Sequence, residues 1–311
     1  TGNQDAISAY NSLSLMGPSG ITTVNGVQTV TYAYNRNSNP DLKWETKDMF
    51  DVGFDAAFFD NKLTATADYY YSKTKDLLYE YDVPVPPFVH PRLLANLGEM
   101  ENSGVELSLG VTPLRTKDME LTIAGNVAFQ KNKLLSLSGS YMDQELNAAE
   151  YMRLARINGA GFQGGNTYVT YQVVGQPLGV FYLPKSNGII NDGLGTYTYN
   201  ILNLDDDPSI NLSDGGDRYF AGQAIPKVIL GTNLSFRYKA FDIQTQLNGG
   251  FGHKIYNGTA LSYMNMNTFP TYNVLPDAPE KKIFDSEVTD YWLEKGDYLH
   301  IDYVTLGYNV N

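Results

Sequence analysis

Residues 49–59 read MFDVGFDAAFF. In an extended chain Phe50, Val52, Phe54, Ala56 and Phe58 share one face, and Met49, Asp51, Gly53, Asp55 and Ala57 the other. A period of two held over this length is a strand with one apolar and one polar side. After Asp60-Asn61-Lys62 the pattern returns in LTATADYYYS, where Leu63, Ala65, Ala67, Tyr69 and Tyr71 oppose Thr64, Thr66, Asp68 and Tyr70. It returns again in GVELSLGVT (Val105, Leu107, Leu109, Val111) and in ELTIAGNVAFQ (Leu121, Ile123, Gly125, Val127, Phe129). Further along, Val228 to Tyr238 and Phe241 to Phe251 alternate about a tight turn at Lys239-Ala240, and Val304, Leu306, Tyr308 and Val310 form a last apolar face. About seven strands of one kind predict an all-β chain folded as an antiparallel meander.

The connections are unequal. Those at 60–62, 113–118 and 239–240 are short, whereas 80–102, 137–226 and 257–297 are long. Short turns on one rim and long loops on the other are the pattern of an outer-membrane β-barrel. Five outward residues span roughly 30 Å of strand at ~3.3 Å per residue. At a tilt of ~40° that covers about 23 Å, near the ~25 Å apolar band of such barrels. Phe58, Phe59, Tyr238 and Phe241 flank the short turns as an aromatic girdle would. The competing architecture is a soluble β-sandwich, but Asp51, Asp55, Asn126, Gln244 and Asn248 along the inner face suit a wet lumen better than a dry core. The organisation expected is one barrel domain in part: loop region 1–45, four strands in 46–136, a long extracellular loop 137–225, two strands in 226–256, a loop 257–297 and a last strand in 298–311.

Composition narrows the function. The 311 residues carry 22 Lys+Arg against 34 Asp+Glu, a net charge of −12, which argues against a nucleic-acid partner. There is no cysteine and only 3 histidines, so thiolate zinc sites, disulfides and cysteine nucleophiles are excluded. The 24 tyrosines and 14 phenylalanines suit half-buried strands. No apolar run approaches the ~18 residues a membrane helix needs. The opening TGNQDAISAY has neither the basic start nor the apolar core of a signal peptide. No catalytic constellation stands out among so many acids, and the chain is expected not to be an enzyme.

Several segments, in order, carry a family resemblance. These are NPDLKWET (39–46), FDNKLTATADYYYSKTKDLL (59–78), NLGEMENSGVELSL (96–109), NVAFQKNKLLSLS (126–138), GQPLGVFY (175–182), AIPKVILGTNLSFRYKAFDI (224–243) and GDYLHIDYVTLGYNV (296–310). Together they resemble the C-terminal barrel region of SusC/RagA-like TonB-dependent transporters. The resemblance implies a protein of the outer membrane of Bacteroidetes-type bacteria that imports glycans or peptides. It also implies a SusD-like surface lipoprotein as lid, the TonB complex acting through an N-terminal part, and contact with membrane lipid. The family's plug domain and its strands beyond LGYNV have no counterpart here, so a fragment is expected. About seven strands do not close a barrel of roughly 22. The alternative reading is a soluble extracellular β-rich protein that binds carbohydrate.

Candidate sites lie in the loops. Tyr151, Phe162, Tyr168, Tyr171, Phe181, Tyr182, Tyr197 and Tyr199 crowd the long loop, and Tyr168, Tyr171, Phe181 and Tyr182 are the candidate cargo-binding rings. The competing role for each is packing the loop against itself. In LDDDPSINLSDGGDR, Asp205, Asp207 and Asp214 are candidate metal ligands. The loop resembles a family segment of the form D-x-N-G-D-G that looks like a Ca²⁺ site, although the N-G-D-G core is missing; the competing role is a solvated acidic tip. GAGFQGGN at 159–166 lacks the G-K-[ST] of a phosphate loop. Trp44 and Trp292 read as rim residues and His90 as a surface turn residue.

Overall fold

The turns set the fold. Phe59, Asp60 and Asn61 all take positive φ, and so does Lys239. Connections this short join only antiparallel neighbours. A computed structural model describes residues 10, 12–157 and 167–310. Phe162 and the glycine-rich segment 159–166 lie outside the described residues.

In chain order the strands are β1 (Leu15–Val24), β2 (Val27–Arg36), β3 (Thr46–Phe58), β4 (Leu63–Asp82), β5 (Arg92–Arg115), β6 (Met119–Ser136), β7 (Ser138–Tyr141), β8 (Gln144–Asn147), β9 (Met152–Arg156), β10 (Tyr168–Gln172), β11 (Val180–Pro184), β12 (Ser186–Asn191), β13 (Tyr197–Ile201) and β14 (Arg218–Gln223). Then come β15 (Val228–Tyr238), β16 (Phe241–Phe251), β17 (Lys254–Tyr256), the short helices α1 (Gly258–Tyr263) and α2 (Ala278–Lys281), β18 (Leu293–Lys295) and β19 (Tyr298–Tyr308). Seven of them form one sheet in the order β19-β16-β15-β6-β5-β4-β3, the meander expected.

Register makes the sheet two-faced. Leu234 lies between Ile123 and Thr245, and Phe236 between Leu121 and Ile243. One residue on, Ser235 lies between Thr122 and Gln244, and Arg237 between Glu120 and Asp242. Apolar therefore meets apolar across the strands and polar meets polar, because a slip of one residue would swap every side chain between faces. Phe54, Leu109, Val304 and Leu306 on the apolar face stand exposed. A sandwich would require a second sheet to cover them.

The chain forms two compact units. The first comprises the segment ending at Phe50 with Tyr71–Asn102 and Asn132–Glu150. It corrects two boundaries. The expected loop 1–45 contains the β1–β2 hairpin, closed by Asn25 and Gly26, both at positive φ, with Val24 opposite Val27. Asn-Gly is the residue pair that a two-residue hairpin turn prefers. The expected loop 80–102 is mostly strand, since β4 and β5 run 20 and 24 residues and leave only 83–91 between them. These extensions hold because Tyr81, Val83, Leu93 and Ala95 pack with Tyr141 and Leu146 of β7 and β8 in a local core.

Asn37 fastens the 83–91 connection. Its Nδ2 donates to the carbonyls of His90 (2.5 Å) and Arg92 (2.8 Å), and its Oδ1 accepts from the amides of Val89 (2.9 Å) and His90 (3.0 Å). Asn37→Ala is expected to cost about 1–2 kcal/mol, because partly buried backbone groups lose their partners. Amide exchange at Val89 and His90 should accelerate; unchanged protection would contradict the role.

The second unit comprises Asp51–Tyr70, Ser103–Lys131 and the chain from Tyr151. It holds most of the two-faced sheet and a folded loop body. The loop body has its own core of Val169, Phe181, Leu183, Tyr199, Leu261, Ile283 and Trp292, among others. Trp292 is a correction. It sits in that core, not at a membrane rim, and its indole N–H donates to the Tyr199 hydroxyl at 2.7 Å.

Candidate functional site

The polar face of the sheet is the surface available to a solute. Its rows Gly231–Asn126–Asn248 and Asn233–Ala124–Gln246 border a shallow groove of about 450 Å³. Nearer the short turns, Glu120 lies between Arg115 (3.4 Å) and Arg237 (3.5 Å). In β19 a bulge opposite Gln246 and Leu247 inserts Asp302. Asp302 there accepts from the Asn248 amide and lies 2.5 Å from His300 Nε2. The sequence carries the sign of this bulge, because Leu299 and Ile301 are odd-numbered and Val304 and Leu306 even-numbered on one apolar face. The pair His300 and Asp302 is the part of this face that sequence reasoning missed.

The four candidate cargo rings fall elsewhere. Tyr171, Phe181 and Tyr182 are at most 3% exposed. Tyr171 and Tyr182 meet edge to face at 5.4 Å, and Tyr151 stacks on Tyr182 at 4.7 Å. Phe181 belongs to the core of the loop body. Three of the four rings have no free face to offer cargo, so the packing role holds for them. Tyr168 is half-buried, with the Arg153 guanidinium 5.4 Å from its ring centre.

The three candidate metal ligands are not brought together. Among the described residues no group of three His, Asp or Glu is placed to hold a metal ion. Asp205 and Asp207 each accept the backbone N–H two residues on, from Asp207 and Ser209. Asp214 is bound to Arg153 at 2.8 Å and accepts the Tyr171 hydroxyl at 3.0 Å. A hard cation needs several oxygens converging on one point; these three are turned to different partners.

The organising carboxylate of this loop is Asp217, fully buried. It accepts the amides of Leu204 (2.5 Å) and Asn211 (2.7 Å). Those backbone hydrogen bonds hold its carboxyl below the usual carboxylate range. A depressed carboxyl gives stability that is complete above the unfolded value of 3.8 and lost as pH falls through the lower folded value. The 203–217 loop should therefore stay ordered at pH 5. Asp217→Asn presents an N–H₂ where an acceptor is needed, and amide exchange at Leu204 or Asn211 should rise about tenfold. No change at either amide would dismiss Asp217 as the organiser.

Beneath it, Arg218 is buried and threads the loop body. Its Nε donates to Leu212 O (3.0 Å), and its Nη1 to the Tyr171 hydroxyl (2.9 Å) and Tyr182 O (3.2 Å). Burial pushes the Tyr171 hydroxyl up to about 12.

Comparison with known proteins agrees with this geometry. Residues 6–311 match the family model described as TonB dependent receptor-like, beta-barrel. TonB-dependent receptor P3 of Formosa agariphila is 30% identical over 335 residues, covering 100% of this chain and 31% of that protein. TonB-dependent receptor SusC of Bacteroides thetaiotaomicron is 25% identical over 279 residues, covering 87% of this chain and 26% of SusC. Among solved structures, the RagAB peptide importer in its closed-closed state superposes with a TM-score of 0.71 at 21% identity, covering 99% of this chain and 33% of that one. The chain thus spans about a quarter to a third of the length of the relatives it matches.

Proposed function

Because the chain belongs to the TonB-dependent receptor-like β-barrel family, we propose that it forms part of the wall and the outer loops of an outer-membrane importer, a transporter and not an enzyme. The observation that carries this is the two-faced sheet. Its apolar rows meet lipid, and its polar rows, with Asn126, Asn233, Gln246 and Asn248, line the path of the cargo. The cargo class is a glycan or a peptide. A SusD-like lipoprotein sits over the long connections, and the TonB complex acts through the N-terminal part of the whole protein.

Labelled oligosaccharides and oligopeptides, supplied to cells carrying the full-length protein with and without TonB, test the reading. Uptake of one class that disappears without TonB is expected. Uptake of neither class, or uptake indifferent to TonB, would overturn it.

Orientation has its own test. In a cysteine-free background, a cysteine at Asn187 should react with an impermeant reagent on intact cells, and one at Asn61 should not. The Asn61 turn belongs to the short-turn rim, which is periplasmic in such barrels. The opposite labelling pattern would invert the assignment.

A further inference from the structure

One groove of the second unit is lined by Lys227, Lys254, Lys295 and His253, with Phe220 and Asp297 in its walls, and encloses about 400 Å³. That volume is within the range of small-ligand sites. The chain has 34 acids for 22 bases, yet among the described residues none of these three lysines has an ion-pair partner.

Lys254 and Lys295 are directly opposite each other in the β17–β18 pair. Like charges so placed destabilise a sheet, and a bound anion would relieve that repulsion. The two acids nearest in sequence are hydrogen-bonded to neutral donors and lie beyond ion-pair distance of these lysines. Asp297 accepts the Gly252 amide at 2.6 Å, and Glu294 accepts from Asn257 at 2.8 Å.

The backbone makes room for the cations. A Cβ on Gly222 would lie 3.0 Å from Lys254 Cδ, so the lysine stem runs across the bare glycine. Gly252, at φ +76, packs against Lys227 in the same way. His253 also lines the groove. It is only 8% exposed, and its Nδ1 is buried with no hydrogen-bond partner among the described residues. Its ring is wedged over Gly296 and meets Tyr298 edge to face at 6.1 Å.

The geometry points to an anion-binding subsite for an acidic glycan, one whose sugar rings carry carboxylate or sulfate groups. Three cations around one groove suit a charge that repeats along a chain more than a single terminal carboxylate. The exposed Phe220 ring offers a flat apolar face to the C–H side of a sugar. Lys227 extends β15 beyond Val228, so the subsite stands at the long-connection end of the polar wall, where cargo enters. This deepens the importer reading and rests on it.

The test is direct binding to the full-length protein purified in detergent. The probes are an oligogalacturonate, a sulfated oligosaccharide, a neutral oligosaccharide of equal length and an oligoglutamate. At least one acidic glycan should bind, more weakly as salt rises, and the two acidic glycans tell carboxylate from sulfate. Lys254→Gln with Lys295→Gln should weaken that binding about tenfold or more, while Lys254→Arg with Lys295→Arg retains it. Heat-modifiable gel mobility shows whether each variant keeps its barrel. Binding indifferent to the glutamine pair, or a neutral glycan bound as well as the acidic ones, would overturn the subsite. Oligoglutamate bound in preference to both acidic glycans would overturn the glycan assignment in favour of a peptide. TonB-dependent uptake, measured separately, fails for every cargo only if the importer reading itself is wrong.

Discussion

Leu234→Arg is expected to keep the full-length protein out of the membrane, and Ser235→Arg, one residue away, to leave assembly intact. Leu234 is central in β15, on the apolar face between Ile123 and Thr245. An arginine near the bilayer midplane on the lipid face of a barrel costs about 2–4 kcal/mol. Ser235 lies on the opposite face between Thr122 and Gln244, where water solvates the new charge. The measurement is the amount of heat-modifiable protein in the outer-membrane fraction. Equal loss for both variants, or for neither, would mean that the two faces do not meet lipid and lumen.

The second large effect belongs to Arg218. Its side chain is fully enclosed, with Asp214 at 4.0 Å. Arg218→Ala removes one donor each from the Tyr171 hydroxyl and the carbonyls of Leu212 and Tyr182. Breaking a buried charged network by removing one partner costs about 3–5 kcal/mol. The Arg218 Nη2 is itself buried without a partner among the described residues, which brings the cost toward the lower figure. The loop body from Tyr151 onward should become protease-sensitive while the barrel stays heat-modifiable. A loop body as resistant as the parent's would remove Arg218 from this role.

The same variant should alter the pH response. Burial, then the neighbouring Asp285, raises the Glu287 carboxyl above its ordinary 4.5, and Arg218 opposes that rise. A raised carboxyl gives stability that is complete below its unfolded value and lost as pH rises through the folded one. Without Arg218 the folded value climbs further. Protease resistance of the variant should therefore recover as pH is lowered from neutral toward 4.5, by more than the parent's does.

Much of the fold was legible because alternation is local. MFDVGFDAAFF assigns its faces whatever lies around it, and the short turns at 60–62 and 239–240 make the strands they join antiparallel neighbours. The β1–β2 hairpin is legible too, in the Asn25-Gly26 turn between alternating valines and threonines, although the expectation for that stretch is a loop. The length of β4 and β5 was not legible. Their outer halves are strand because the β7–β8 hairpin packs with them, and that contact joins segments distant in sequence.

The site divides in the same way. The polar wall followed from period two, since Asn126, Gln244 and Asn248 are inward wherever their strands are paired in register. The loop residues did not follow from anything local. Tyr171 and Tyr182 resemble recognition rings in sequence, yet β10, β11 and β14 form a sheet that buries both. Asp214 resembles a metal ligand until Arg153 and Tyr171, far along the chain, take one oxygen each. Lys227, Lys254 and Lys295 are unremarkable singly and become a site only where β14, β17 and β18 converge. The sequence alone determined strand, face and meander, because each depends on neighbours along one chain or across one short turn. Only the tertiary structure decided which aromatics are buried and which charges are left unpaired, because burial and pairing are properties of contacts between segments that no local pattern encodes.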